Sequence, residues 1–333
     1  MSPTWSTAHL GVLVPGDAPI HLHYFDNSPS TPSAPYTTVI LVHGNGFNSH
    51  IWVPSLPHLP PNTRVLAFNR RGYTGSSPPH ASTQQLPGNV EAFGRYVVDL
   101  LGFLKYAVEV LGVHPAPSEG QGKKGGIVLV GWSKGCASVI SLLSHLPPSP
   151  VLSPHPLPRP APLDSYLPLL HSHLRATIFF EPPQMIFGLP GPAEYPQLAG
   201  VPPERLPQAF GEVLLETIPE DKRQAVLAAE DAGGAADIVT WNGATSDERR
   251  DVCERAFPSN LVRVGTLYCE GTTLAPVVNG VKWINNRYAA LGVGVSAEFV
   301  KGMVEGGNHF VMATDPDSFG TALGEVLVQL GVE

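Results

Sequence analysis

The 333 residues predict an α/β fold, and three observations carry the prediction. Residues 38–42, 64–68 and 126–130 are continuous apolar runs, the pattern of strands buried on both faces of a parallel sheet. A stretch with apolar residues at helical spacing lies between the second and third of these runs. Proline and glycine, 36 and 34 residues, break the chain into many turns without a collagen-like period.

The elements follow in order. Residues 6–14 and 19–25 are β-rich and flank the turn signal Pro15-Gly16-Asp17, which predicts a hairpin. Residues 175–180, 262–268 and 297–304 continue the strand series. Val90, Phe93, Val97, Leu100, Leu101, Leu104 and Val108 recur with helical period and predict a helix over 89–111. Further helices are expected at 134–145 and 316–330, with right-handed crossovers joining parallel strands. Two segments break the alternation. Residues 147–170 are proline-dense and predict a surface loop, an insertion in the fold. Residues 182–258 hold helix-like pieces at 204–217 and 220–230 and no strand. They predict an all-helical lid over the strand ends. The expected organisation is a core in two parts, 1–181 and 259–333, with the lid between them.

Composition narrows the function classes. Charged residues make up 14% of the chain, against about 25% in an average globular protein, and hydrophobic residues 43%. That balance argues against a disordered or highly charged helical chain. A net charge of −8 gives no electrostatic footprint for nucleic acid or an anionic membrane. The stretch MSPTWSTAHLGVLVPG lacks the basic and apolar regions of a secretory signal, and no run of about 20 apolar residues spans a membrane. Leu330-Gly331-Val332-Glu333 is not a peroxisomal or lipidation signal. Cys136, Cys253 and Cys269 are odd in number, widely spaced and without zinc-site spacing. They read as buried thiols in a reducing compartment, and a cytoplasmic protein is expected. No histidine pair has H-E-x-x-H or similar spacing, so a metal site is not expected.

The most informative segment is Ile127-Val128-Leu129-Val130-Gly131-Trp132-Ser133-Lys134-Gly135-Cys136-Ala137. An apolar strand runs into G-x-S-x-G and then into a small-residue helix start. A serine at a sharp strand-to-helix turn sits in strained geometry, and the glycines leave room where strand and helix crowd. The helix N-terminus behind it offers backbone N–H groups to a developing oxyanion. The plainer alternative is a tight turn whose serine only caps the helix. Serine rather than aspartate at this place favours acyl transfer over chemistry that needs a carboxylate nucleophile.

Three further motifs accompany the elbow. Val42-His43-Gly44-Asn45-Gly46-Phe47 follows the third strand. Asn69-Arg70-Arg71-Gly72-Tyr73-Thr74-Gly75-Ser76-Ser77 follows the fourth, and Gly306-Gly307-Asn308-His309-Phe310 the eighth. With them the chain resembles the lid-bearing serine hydrolases of the α/β-hydrolase fold, from about residue 36 onward apart from the two insertions. The resemblance implies an eight-stranded, mostly parallel sheet with flanking helices and a helical lid inserted between strands 6 and 7. It implies hydrolase chemistry and says little about substrate. Asn69 stands where the family has aspartate, and one residue is inserted in that turn.

The resemblance and the chemistry together assign roles. Serine needs an adjacent base, and His309 matches the family's histidine; the alternative is a loop histidine that caps the helix at 316–330. His43 matches a structural position in the oxyanion loop. The triad also needs a carboxylate to hold the histidine's tautomer. The family usually has G-x-x-D after the seventh strand, where this chain has Gly271-Thr272-Thr273-Leu274. Glu181, at the end of the sixth strand and before two prolines, is the preferred substitute. It resembles the acid of certain lactonases and haloalkane dehalogenases. Glu270 is the second candidate. The oxyanion hole is expected from the backbone N–H groups of Lys134 and Asn45, with Gly46 or Phe47 as neighbours of the latter. The Asn45 side chain ordinarily supports a turn; a substrate hydrogen bond is its second reading. The Lys134 ammonium is expected in solvent. Trp132 reads either as the wall of an apolar pocket or as packing against sheet or lid. Met185, Ile186, Phe187, Tyr195, Phe210 and Trp241 are lid residues that could line a pocket or simply pack. Pro182, Pro183, Pro190 and Pro192 suggest a stiff hinge.

The expectation is a cofactor-free serine hydrolase cleaving a carboxylic ester or lactone of a fairly apolar small molecule. A C–C bond hydrolase, peptidase or acyltransferase would use the same triad. An inactive hydrolase-fold binding protein is the competing class, and the acid missing after the seventh strand is what favours it.

Overall fold

Eight strands form one sheet in the order β1-β2-β4-β3-β5-β6-β7-β8. They are β1 (Thr4–Gly11), β2 (Ile20–Asp26), β3 (Thr37–Val42), β4 (Thr63–Phe68), β5 (Ile127–Trp132), β6 (Leu174–Phe180), β7 (Arg263–Cys269) and β8 (Phe299–Val304). The computed structural model describes residues 3–27, 36–79, 90–118, 124–146, 163–189, 200–202, 205–234, 246–256, 262–290 and 299–333. The hairpin β1–β2 is antiparallel and joins β4 antiparallel; every other pairing is parallel. All residues of β3, β4 and β5 are buried, which is why these strands are continuous apolar runs rather than alternating ones.

Two apolar layers cover the sheet. Leu100 and Leu104 of the helix Val90–Glu109 pack with Val139 and Leu143 of the helix Cys136–Ser144. In the other layer Phe319, Leu323 and Val326 of the helix Pro316–Gln329 meet Ile51 and Trp52 of a 3-10 segment, Ser49–His58. The eight-stranded sheet with flanking helices is therefore as the sequence predicts.

Three details differ from the sequence reading. Residues 163–170 are not loop but part of a helix, Leu163–His173, which carries Pro168 inside it. Tyr166 and Leu170 are buried in the core, and that burial overrides the helix-breaking tendency of proline. The rest of the proline-dense insertion, 147–162, lies outside the described residues. A second helix, Ala275–Ala290, has no counterpart among the predicted elements. Its Gly280 and paired asparagines weaken the helical signal, yet packing requires the glycine. A Cβ there would fall 2.0 Å from the Pro182 carbonyl oxygen. Thirdly, the 3-10 segment Ser49–His58 contains two prolines and no apolar period the sequence could reveal.

Between β6 and β7 the described residues include a 3-10 turn, Gln184–Phe187, and the helices Leu206–Glu216, Arg223–Leu227 and Ser246–Ala256. Residues 229–234 of this segment are stitched to the loop after β3. Asn48 N–H donates to the Ala229 carbonyl and Asp231 N–H to that of Gly46, both at 2.8 Å. The Asp231 carboxylate accepts from Asn48 Nδ2 (3.0 Å), Thr74 N–H (2.9 Å) and Gly233 N–H (3.0 Å). No described helix is long and apolar enough to cross a membrane.

Burial pushes the Asp231 pKa up, but the hydrogen bonds from Gly233, Asn48 and Thr74 outweigh it and hold the carboxyl below its ordinary value. A depressed carboxylate contributes stability that is fully present above the unfolded-state pKa, about 3.9, and is lost as pH falls through the folded value. Asp231→Asn should therefore be less stable than wild type at pH 7, by about 1–3 kcal/mol. In urea titrations that gap should close as the pH falls below about 4. A gap unchanged between pH 7 and pH 3 would show that the carboxylate's charge is not what holds the segment.

Candidate active site

Ser133 sits directly after β5 with φ 51°, in the left-handed region that side-chain-bearing residues avoid. A single 3-10 turn, Ser133–Gly135, leads into the helix Cys136–Ser144. The N-cap of that helix is Gly135, and no side chain caps it. The serine is therefore held in strain without the capping role that would explain it. Gly135 is needed because the elbow presses on β3: a Cβ would lie 2.3 Å from the Val42 carbonyl oxygen. Cys136 closes the turn by donating its thiol to the Gly131 carbonyl at 2.8 Å. Burial above all pushes the Cys136 and Cys269 thiols well up, so neither competes as a thiolate.

His309 lies in the loop after β8 and is buried. It does not cap the helix Pro316–Gln329, whose N-cap is Asp315. Its Nδ1 is 3.1 Å from Glu181 Oε2. Since a carboxylate accepts, Nδ1 donates, and the neutral ring keeps its acceptor lone pair on Nε2. Glu181 follows β6 at φ 51° and is 1% exposed. Its Oε1 accepts from Cys269 N–H at 2.7 Å and its Oε2 from the Thr272 hydroxyl at 2.5 Å. Thr272 lies in the very loop where the resemblance leads one to look for an acid. That loop supplies hydrogen-bond donors instead, and the carboxylate arrives from the neighbouring strand. The other candidate, Glu270, is exposed and accepts from Gly306 N–H at 3.2 Å.

Ser133, His309, Asn45, Lys134 and Trp132 line one cavity of about 200 Å³. The rest of its wall is apolar. Phe47 and Phe310 come from the core loops, and Met185, Ile186, Phe210 and Leu214 from the segment between β6 and β7. Among the described residues the Ser133 hydroxyl has no hydrogen-bond partner; in unliganded sites such bonds are commonly long. Phe187 faces elsewhere and stacks on Trp283, with ring centroids 4.5 Å apart. Tyr195, Trp241, Pro190 and Pro192 lie outside the described residues.

The Lys134 side chain corrects the sequence reading. It is 8% exposed and lines the cavity rather than extending into solvent. The sequence alone does not reveal that burial. Trp132 does more than either role expected of it. Its indole Nε1–H donates to the His309 carbonyl at 3.0 Å, with ring centroids 5.2 Å apart. It thereby pins the histidine loop to the serine elbow. No motif marks this contact, because it joins positions 177 residues apart. His43 is structural, as expected: its Nε2 accepts from Arg70 N–H at 2.9 Å. Asn69 accepts from Ser49 N–H (2.9 Å) and donates to the Thr74 carbonyl (2.8 Å). Its carboxamide thus braces both loops.

No curated protein matches the chain by sequence. Solved structures match it over nearly its whole length. A lipase-esterase related protein from Clostridium acetobutylicum aligns with TM-score 0.57 and 14% identity, covering 92% of this chain and 99% of that one. A proline iminopeptidase-related protein from Thermus thermophilus aligns with TM-score 0.56 and 16% identity, over 99% of both chains. A haloalkane dehalogenase loop variant from Bradyrhizobium elkanii aligns with TM-score 0.55 and 16% identity, over 98% and 97%. At these identities the likeness speaks for the fold alone. A family model described as the alpha/beta hydrolase family matches residues 39–322, and the chain therefore belongs to the alpha/beta hydrolase family.

Proposed function

We propose that this hydrolase-fold protein is a serine hydrolase that cleaves a carboxylic ester or lactone of a fairly apolar small molecule through an acyl-enzyme on Ser133. One observation carries the reading. The His309 imidazole contacts the buried Glu181 carboxylate at 3.1 Å and shares an apolar cavity with Ser133. In the reaction, Ser133 Oγ attacks the carbonyl carbon while His309 Nε2 takes its proton. Glu181 holds the Nδ1–H tautomer and stabilises the imidazolium. The backbone N–H groups of Asn45 and Lys134 receive the oxyanion. The leaving alcohol takes the proton from His309. Water, deprotonated by the same histidine, then releases the acid.

The helical segment 182–258 is the lid in this reading, with core parts 1–181 and 259–333. Met185, Ile186, Phe210 and Leu214 support this assignment, since they line the cavity of Ser133. The buried Glu181 carboxylate on the His309 imidazole argues against the inactive binding protein, although no acid follows β7. A cytoplasmic setting suits the three buried free cysteines.

A fluorophosphonate probe tests the reading directly. Wild type should label, and Ser133→Ala should not. Glu181→Gln should slow labelling by about two to four orders of magnitude, because the amide carries no charge to stabilise the imidazolium and leaves one acceptor oxygen for three donors. Glu270→Gln should stay within a few-fold of wild type. An unlabelled wild type, or slowing confined to Glu270→Gln, would overturn the reading or its acid respectively.

Trp132→Phe keeps an aromatic ring against the loop but deletes the N–H that holds the His309 carbonyl. A buried acceptor left unpaired costs about 1–3 kcal/mol, and urea unfolding should show a loss of that size. Labelling should also slow about tenfold as His309 loses its position. Unchanged labelling together with the stability loss would confine Trp132 to a structural role.

A further inference from the structure

The loop that follows β7 touches both partners of the acid–histidine contact. On one side, the Cys269 N–H donates to Glu181 Oε1 at 2.7 Å and the Thr272 hydroxyl to Oε2 at 2.5 Å. On the other side, Glu270 N–H donates to the Val304 carbonyl at 3.0 Å, and Glu270 Oε2 accepts from Gly306 N–H at 3.2 Å. Gly271 lies flat against the histidine loop. A Cβ there would stand 2.8 Å from the Gly307 carbonyl oxygen and 2.9 Å from that of Gly306. Residues 269–272 therefore act as a spacer between the carboxylate after β6 and the imidazole after β8.

Thr272 has a distinct place in that spacer. Glu181 Oε2 is the oxygen that faces His309 Nδ1 at 3.1 Å, and the Thr272 hydroxyl bonds to the same atom at the shorter distance. Such an O–H donor on a carboxylate makes a bond roughly twice as strong as one between neutral groups. The terminal torsion of a glutamate is broad, so the side chain itself does little to fix the plane of its carboxylate. A donor on Oε1 alone leaves Oε2 free to swing about the held atom, and a second donor on Oε2 stops it. The donor on Oε1 is main chain. The hydroxyl is the one donor from residues 269–272 that belongs to a side chain, and it acts on the oxygen the histidine uses.

We infer that Thr272 is a positioning residue of the proposed triad. Its hydroxyl holds Glu181 Oε2 where it orients His309 Nδ1–H, and through that bond it keeps Nε2 presented to the Ser133 cavity. The inference rests on the serine hydrolase reading and extends it to the loop after β7. A purely structural hydroxyl would do no more than satisfy a buried charge. A positioning hydroxyl also sets the rate at which the histidine takes the serine proton.

Phosphonylation by a fluorophosphonate, followed over a range of probe concentrations, separates binding (KI) from the chemical step (kinact). Thr272→Val keeps the side-chain shape and removes the hydroxyl, and its kinact should fall about 10–100-fold. Its KI should stay within about twofold of wild type, because Thr272 is not in the wall of the Ser133 cavity. Thr272→Ser keeps the donor and should hold kinact within about threefold. Thr272→Ala is the second hydroxyl-free variant, should the valine disturb folding, and its kinact should fall likewise. An unchanged kinact in the hydroxyl-free variants, even with lower stability in urea, would overturn the inference and confine Thr272 to satisfying the charge. A rise in KI in place of the fall in kinact would overturn it too. So would a Thr272→Ser variant as slow as Thr272→Val, since shape rather than the hydroxyl would then matter. The wild-type protein separates the two possible failures. Labelled wild type with unchanged variants sinks only the role of Thr272, while an unlabelled wild type sinks the hydrolase reading beneath it.

Discussion

The Glu181 carboxylate is the constraint on which the rest of the site depends. A carboxylate at 1% exposure cannot be left uncompensated, since an isolated buried charge is strongly destabilising. Three donors meet it: the Cys269 N–H, the Thr272 hydroxyl and His309 Nδ1–H. They come from the end of β7, the loop after it and the loop after β8. The need to satisfy one side chain on β6 therefore fixes the relative placement of three consecutive strand ends. Removing any donor leaves the others to hold a charge they satisfy only in part, so the cluster behaves as a unit.

Backbone strain sits on the same row of strand ends. Ser133 after β5 and Glu181 after β6 both have φ 51°, and the two strands are neighbours paired through Trp132 and Phe180. Each conformation costs of order 1–3 kcal/mol and persists only where surrounding contacts over-determine it. For Ser133 those contacts are the Cys136 thiol on Gly131 and the close fit of Gly135 against β3. For Glu181 they are its N–H on the Leu267 carbonyl at 3.0 Å and its three-donor cage. Trp132 adds the cross-tie from the elbow to the histidine loop. The strain is concentrated where side chains must leave the sheet edge at an angle a regular strand end does not give.

What the sequence made legible follows from range. Buried parallel strands announce themselves because every residue is apolar, and the elbow announces itself because its glycines are forced by local crowding. Both signals are complete within about ten residues. The carboxylate that meets His309 was legible as a preference for Glu181 over Glu270, because the contact turns on which strand-end loop reaches that histidine. The cage around it was not legible at all: Thr272 and Cys269 act on a residue about 90 positions earlier. Asp231, which ties residues 229–234 to the loop after β3, is hidden for the same reason. The misread elements have the opposite cause. Leu163–His173 and Ala275–Ala290 carry proline or glycine that local propensity counts against a helix, and only packing explains why they stay helical.

The neighbours in fold include a dehalogenase and a peptidase-related protein, so the sheet and its crossovers do not decide the chemistry. The atoms at the strand ends do. A carboxylate at the elbow would form an ester with a carbon it displaces on, and the histidine would then serve only the water. A serine must first lose its own proton, so the histidine is required in both half-reactions and its tautomer matters twice. On the proposed reading, that is why this chain invests a buried carboxylate, two further donors and an indole N–H in holding one imidazole. The apolar wall adds no chemistry of its own. On the same reading, a substrate filling the cavity displaces water, and N–H groups at the carbonyl would then act in a medium where each is worth more than in solvent.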